Sequence, residues 1–152
     1  MFRILFHSPE IPQNTGNAIR LAANTGSELH LVEPLGFSLD AKHLRRAGLD
    51  YHDLAPVTVH ADLDAAWLAL LPSNVYAFST TATRHYSDVA YRPGDVLLFG
   101  QESVGLPRAV QHAAEVTDRL LLPMAPGSRS LNLANAASIA VYEAWRQHGF
   151  RV

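Results

Sequence analysis

Short apolar runs alternate with helix-patterned segments along this chain, and that alternation restricts the fold more than any other feature. Runs suited to buried strands fall at 2–7, 29–32, 75–79, 96–99 and 119–122, with a weaker one at 57–60. Each is too short for a helix and long enough for a strand. Between them, segment 14–25 opens at Asn14 and closes on Asn24-Thr25-Gly26, where glycine suits a helix stop. Segment 62–71 opens on Asp62, a capping residue type, and stops at Pro72. Pro107 suits the first turn of a helix over 107–115, and the last helix runs from about 130 to 148, ending at Gly149. Strands alternating with helices predict an α/β fold: a single domain over 1–152 with a mostly parallel sheet flanked by helices.

Composition removes several function classes. The chain has no cysteine, which excludes disulfides, thiolate metal sites and cysteine nucleophiles. The apolar start at 1–7 is too short for a signal sequence, and no run approaches membrane-span length, so a soluble, intracellular protein is expected. A net charge of −2 argues against a generic nucleic-acid coat. One basic cluster stands out, Lys42, His43, Arg45 and Arg46, which reads either as a solvated helix face or as an RNA contact. No G-x-G, Walker-type loop, H-E-x-x-H or G-x-S-x-G occurs, so dinucleotide, P-loop, zinc-hydrolase and serine-hydrolase chemistries are poor fits.

Parallel sheets place ligands at the carboxyl ends of their strands. Three loops of small or polar residues follow expected strands there: 79–81, 100–107 and 123–132. Ser130, Asn132 and Asn135 set polar groups where an Ala-rich helix begins. They could meet a ligand, or Ser130 could simply cap the helix. Glu102, between Gly100 and Gly105, could order backbone amides or sit near a cationic ligand. On a helix, Asn17, Arg20 and Asn24 share one face, with Ala18, Ile19, Ala22 and Ala23 roughly opposite. A guanidinium between two amides, with no carboxylate on the stripe, suits phosphate or ribose oxygens. The alternative is a polar helix face turned to water, the better reading for Asn24 and the poorer one for Asn14, Asn17 and Arg20 together. Tyr142, Trp145 and Arg146 read as core, partner surface or RNA-stacking residues.

Three elements stand in order: Asn14 with Arg20, Gly100-x-Glu102-x-x-Gly105-Leu106, and Ser130-Leu131-Asn132-x-x-Asn135. Together they resemble the motifs of the SPOUT superfamily of RNA 2′-O-ribose methyltransferases. The stretches Glu10-Ile11-Pro12-x-Asn14-Thr15-Gly16-Asn17, Leu44 to Tyr51 and Tyr142 to Gln147 resemble its shortest members, the tRNA (cytidine/uridine-34) 2′-O-methyltransferases. The resemblance covers essentially the whole chain.

The resemblance implies a C-terminal trefoil knot, a rare exception to the rule against knots, a homodimer, and S-adenosylmethionine as cofactor. It implies cofactor contacts at Phe78, Gly100, Glu102, Gly105, Leu122, Met124, Ser130, Leu131, Asn132 and Asn135. Arg20 would be catalytic with Asn14 and Asn17 in support, and Arg20, Lys42, Arg45 and Arg46 would bind RNA. The substrate implied is the anticodon stem-loop of tRNA, of leucine tRNAs in particular, in the cytoplasm; no metal or membrane is involved. Small positions Ala134, Ala136, Ala137, Ala140 and Ala144 would let the last helix approach a partner subunit closely.

Overall fold

The computed structural model describes residues 1–40, 42, 45 and 55–151. Its elements in chain order are β1 (Arg3–His7), α1 (Pro12–Thr25), β2 (Glu28–Val32), β3 (Val57–His60), α2 (Leu63–Leu70), β4 (Val75–Phe78) and β5 (Arg84–His85), the last followed by a 3₁₀ turn at Tyr86–Asp88. Then come β6 (Val96–Phe99), α3 (Arg108–Gln111), β7 (Asp118–Leu121) and α4 (Leu133–Gln147). One seven-stranded sheet runs β3-β2-β1-β6-β4-β7-β5, and every pairing is parallel. The expected α/β architecture is present.

The strand sequences explain why both sheet faces are covered. β4 and β6 are buried along their whole length, as strands between two helix layers must be. Alternate residues point to opposite faces. Ile4, Phe6, Leu97 and Phe99 join the core beneath α1 and α4, while Leu5, Val96 and Leu98 join the one beneath α2. α4 packs against α1 through Ala137, Ala140, Val141 and Ala144, which are buried inside this chain. The alanines expected to meet a partner are therefore spent on the chain's own core, with Ala134 buried as well and Ala136 half-buried. The exposed face of α4 instead carries Asn135, Ile139, Tyr142 and Arg146. Trp145 is half-buried, with its Nε1–H donating to the Arg151 carbonyl at 2.9 Å.

Helix boundaries shift where the capping group lies elsewhere than expected. α1 starts at Pro12, two residues before Asn14, with Gly26 left-handed at its end. Its cap residue Ile11 has no capping side chain; the Glu102 carboxylate accepts the Ile11 N–H at 3.0 Å instead. Ala23 is exposed rather than turned inward. α2 starts as expected, the Asp62 side chain accepting from the Ala65 N–H at 2.8 Å. α3 ends at Gln111, because the chain beyond it closes on i−3 carbonyls, Ala113 to Val110 and Val116 to Ala113. α4 is capped by Asn132, not Ser130: Asn132 Oδ1 accepts from the Asn135 N–H at 3.2 Å. Ser130 is left outside the helix and exposed.

Two polar features complete the sheet. β5 has no apolar residue, and its edge position is held by Arg84, which donates to Asp118 at 2.6 Å and to the Asp88 carbonyl at 2.9 Å. On β2 and β3 the buried imidazoles of His30 and His60 stack, Nδ1 to Nε2 at 3.0 Å. Burial holds both below the usual histidine range; the Glu28 hydrogen bond opposes this at His30, and the His60 charge reinforces it. The neutral forms are the ones that fold well, so unfolding takes up protons. Stability is then full above about pH 6.5 and falls as pH drops through the depressed folded values. Melting temperature should therefore decline below about pH 6.5, and His60→Gln should flatten that decline. An unchanged pH slope in that variant would remove the pair as its source.

Among the described residues, no helix is long and apolar enough to cross a membrane.

Candidate active site

Because all strands run parallel, their carboxyl ends share one edge. There the chain leaves β1 toward α1 on one face and leaves β6 toward Leu106 and Val110 on the other. Diverging loops at adjacent strands open a crevice. A cavity of about 650 Å³ opens at this edge, within the range of small-molecule sites. Phe78 and Phe99 line it, stacked with centroids 4.6 Å apart, as do Leu121 and Leu122. Its polar lining comes from loops 79–81, 100–105 and 129–132 and from Asn14 and Gln111. A second hollow of about 550 Å³ lies at the opposite edge, among Phe2, Trp145, His148 and Arg151, away from all of these loops.

Glycine is required at the turn after β6. The loop closes on itself through a Gln101–Gly105 bridge, the Gly105 N–H donating to Gln101 O at 2.9 Å. A Cβ on Gly100 would meet Gly105 C and Leu106 N at 2.1 Å, inside any allowed contact. Gly105 takes a left-handed φ of +71°, which a side chain disfavours.

The polar residues form one network. Glu102 accepts from the Glu10 N–H at 2.7 Å, the Ile11 N–H at 3.0 Å and Asn14 Nδ2 at 3.1 Å. Asn14 Oδ1 in turn accepts from Asn132 Nδ2 at 2.9 Å. Of the two roles open to Glu102, ordering backbone amides is the one the geometry displays. The carboxylate also complements the positive end of α1. Loop 100–105, the start of α1 and the start of α4 are thus fastened together around the cavity.

Phe78, Gly100, Glu102, Gly105, Leu122, Met124, Ser130, Leu131 and Asn132 all line this cavity, as does Asn14. Asn135 does not; it is exposed, and its N–H serves the Asn132 cap. Asn17 and Arg20 are exposed on α1 outside the lining. Steps of three residues rotate each by about 60° from the last, so Asn14 turns inward while Arg20 turns out. Lys42 and Arg45 are exposed, and Arg46 lies outside the described residues. Ser103, Val104 and Arg129 lie in the expected strand-end loops and line the cavity with them. Ile11, Phe99, Gln111, Leu121, Leu133 and Ala136 also line it from outside those loops, and sequence reasoning did not single them out as lining residues. Among the described residues, no group of three or more His, Asp or Glu is placed to hold a metal ion.

Apolar ring faces beside polar strand-end loops define a protein of one class: an α/β protein with a ligand-sized cavity at the carboxyl edge of its parallel sheet. The model of the SpoU rRNA methylase family matches residues 1–142. A tRNA (cytidine(34)-2′-O)-methyltransferase of Methylovorus glucosotrophus is 51% identical over 150 residues, covering 99% of this chain and 97% of that protein. The Escherichia coli protein of the same name is also 51% identical, over 99% of this chain and 96% of its own length. A chain solved in work on 2′-OH methylation of C/U34 on tRNA superposes with a TM-score of 0.90 at 44% identity, covering 99% of this chain and 98% of its own. The SpoU methyltransferase AviRb of Streptomyces viridochromogenes, solved with its cofactor AdoMet, superposes with a TM-score of 0.78 at 27% identity, covering 96% of this chain and 57% of its own. The chain belongs to the SpoU methylase family; it is a methyltransferase and its cofactor is S-adenosylmethionine.

The cavity fits that cofactor on its own evidence. The apolar walls of Phe78 and Leu122 can take an adenine face, while the exposed loop residues 129–132 add polar groups beside them.

Proposed function

We propose that this chain methylates the ribose 2′-oxygen of the wobble nucleotide, position 34, of tRNA, a cytidine or modified uridine. The observation that carries this is the Glu102–Asn14–Asn132 network, which gathers three motifs distant in sequence around one cavity. The naming of full-length relatives at 51% identity supports the choice of nucleotide. Leucine tRNAs as substrates, a C-terminal trefoil knot, a homodimer and a cytoplasmic location complete the proposal. The dimer is supported by the exposed Ile139 and Tyr142 on α4, beside the exposed face of α1.

When bound, S-adenosylmethionine supplies a methyl group on a sulfonium. Phe78, Gly100 and Leu122 would hold the cofactor, largely through backbone groups, together with Met124, Ser130, Leu131 and Asn132 of the same lining. Asn14 fixes Asn132 and Glu102 in place. A ribose hydroxyl is a weak nucleophile, so the chain must stabilise charge developing on the 2′-oxygen. Arg20 does this, with Asn17 beside it orienting the ribose. A guanidinium has no lone pair and accepts no proton; the 2′-hydroxyl proton passes to water or to an adjacent RNA phosphate. Transfer of a labelled methyl group to tRNA from a strain lacking this gene, followed by nuclease mapping, tests the assignment. Label on a base, or at a ribose other than 34, would refute it.

With a net charge of −2, the chain cannot hold a whole tRNA electrostatically. Lys42, Arg45 and Arg46 supply a local basic surface for the stem-loop phosphates. Arg45→Ala with Arg46→Ala should raise KM for tRNA and flatten its salt dependence, each lost phosphate contact reducing the slope by about one. Unaltered tRNA kinetics and salt slope would make this cluster a solvated face.

A further inference from the structure

Glu10 lines no part of the cavity, yet its carboxylate takes two hydrogen bonds from one residue of the facing loop. Oε2 accepts from the Ser103 N–H at 3.1 Å and Oε1 from the Ser103 hydroxyl at 2.9 Å. The bonding is reciprocal, because the Glu102 carboxylate holds the N–H groups of Glu10 and Ile11. Two carboxylates thus each grip the opposite backbone, across more than ninety residues of sequence. Hydrogen bonds to a charged acceptor are the strong kind. Behind Glu10 lies Gly36, whose N–H donates to the Pro9 carbonyl at 3.0 Å. A Cβ on Gly36 would meet Glu10 O at 2.7 Å and Glu10 Cα at 2.8 Å, so that stretch presses directly on the Glu10 backbone.

Glu10 therefore joins three parts of the molecule. One is the loop over the cofactor cavity, the second is the start of the helix bearing Asn17 and Arg20, and the third is the stretch leading from β2 to Lys42 and Arg45. We propose that Glu10 is a positioning residue that couples cofactor binding to RNA binding through its clasp on Ser103. When a ligand orders loop 100–105, the clasp fixes the start of α1, and with it the direction of Arg20. The coupling is reciprocal by thermodynamic necessity: RNA held by α1 steadies the cofactor loop to the same extent. The inference rests on the methyl-transfer reading above.

Calorimetry of S-adenosylmethionine with and without a saturating anticodon stem-loop RNA tests it, on wild type, Glu10→Ala, Glu10→Gln and Ser103→Ala. In wild type the RNA should tighten cofactor binding by about fivefold or more, the lower range of allosteric coupling. Glu10→Ala should lose that enhancement while binding the cofactor alone nearly as wild type does, and its kcat should fall by about tenfold or more through misplacement of Arg20. Glu10→Gln, which keeps an acceptor oxygen, and Ser103→Ala, which keeps the backbone donor, should both fall between. Absence of coupling in wild type overturns the inference, as does full coupling and kcat in Glu10→Ala. If Glu10→Ala does not fold, Ser103→Ala decides: wild-type coupling there also overturns the inference. A wild-type chain that transfers no methyl group overturns the proposed function and this inference together. An active wild type with unaffected variants overturns the inference alone.

Discussion

Arg20→Ala is expected to lower methyl transfer by about 100- to 1,000-fold, the usual cost of removing one stabiliser of a developing oxyanion. S-adenosylmethionine affinity should stay close to wild type. The separation follows from position: Arg20 sits on the exposed face of α1, outside the lining of the cofactor cavity. It is not remote from that cavity in mechanical terms, because Asn14 on the same helix is bonded to Glu102 and Asn132. Arg20→Lys restores the charge but not the planar fork, so it should recover only part of the rate. Calorimetry with the cofactor and single-turnover kinetics with tRNA distinguish the two effects. Lost cofactor binding with no separate defect in transfer would contradict the role given to Arg20.

Gly100→Ala is expected to weaken cofactor binding by about 100-fold and lower the melting temperature. The added methyl would lie 2.1 Å from two backbone atoms of Gly105 and Leu106. Backbone atoms cannot swing aside as a side-chain end can, so the turn must open. Overpacking of this kind costs about 3 kcal/mol at its upper range, which corresponds to about 100-fold in affinity if it falls on the bound form. Gly105→Ala is the control. A Cβ there meets nothing within 4 Å and only the left-handed φ of +71° is penalised, at about 1–2 kcal/mol. It should weaken binding far less. Equal effects at the two positions would mean that the turn is not closed as described.

Six of the seven strands were legible because each is a short apolar run, and their carboxyl ends located the polar loops that line the cavity. What the sequence concealed are groups whose partners lie far away along the chain. Pro12 is the one local sign that α1 begins there, since Ile11 has no capping side chain and the carboxylate that takes its N–H is Glu102, 91 residues on. β5 has no apolar pattern, and its edge depends on Arg84 bonding to Asp118. The alanines of α4 look free for a partner until α1 is seen packed against them. Ser130 and Asn132 are both competent caps, and only the backbone path decides between them. Glu10 stood in the sequence only as part of a resembling stretch, with no role of its own, since that role exists only once Ser103 faces it.

Two synthetic anticodon stem-loops, identical except for ribose or 2′-deoxyribose at nucleotide 34, test the central claim most directly. Each is incubated with the protein and S-adenosylmethionine, then digested and read nucleotide by nucleotide by mass spectrometry. The expected result is one added methyl group on the sugar of nucleotide 34 in the ribose substrate, and none in the deoxy substrate. A methyl group on the base, at another nucleotide, or on the deoxy substrate would contradict 2′-O-methylation at position 34.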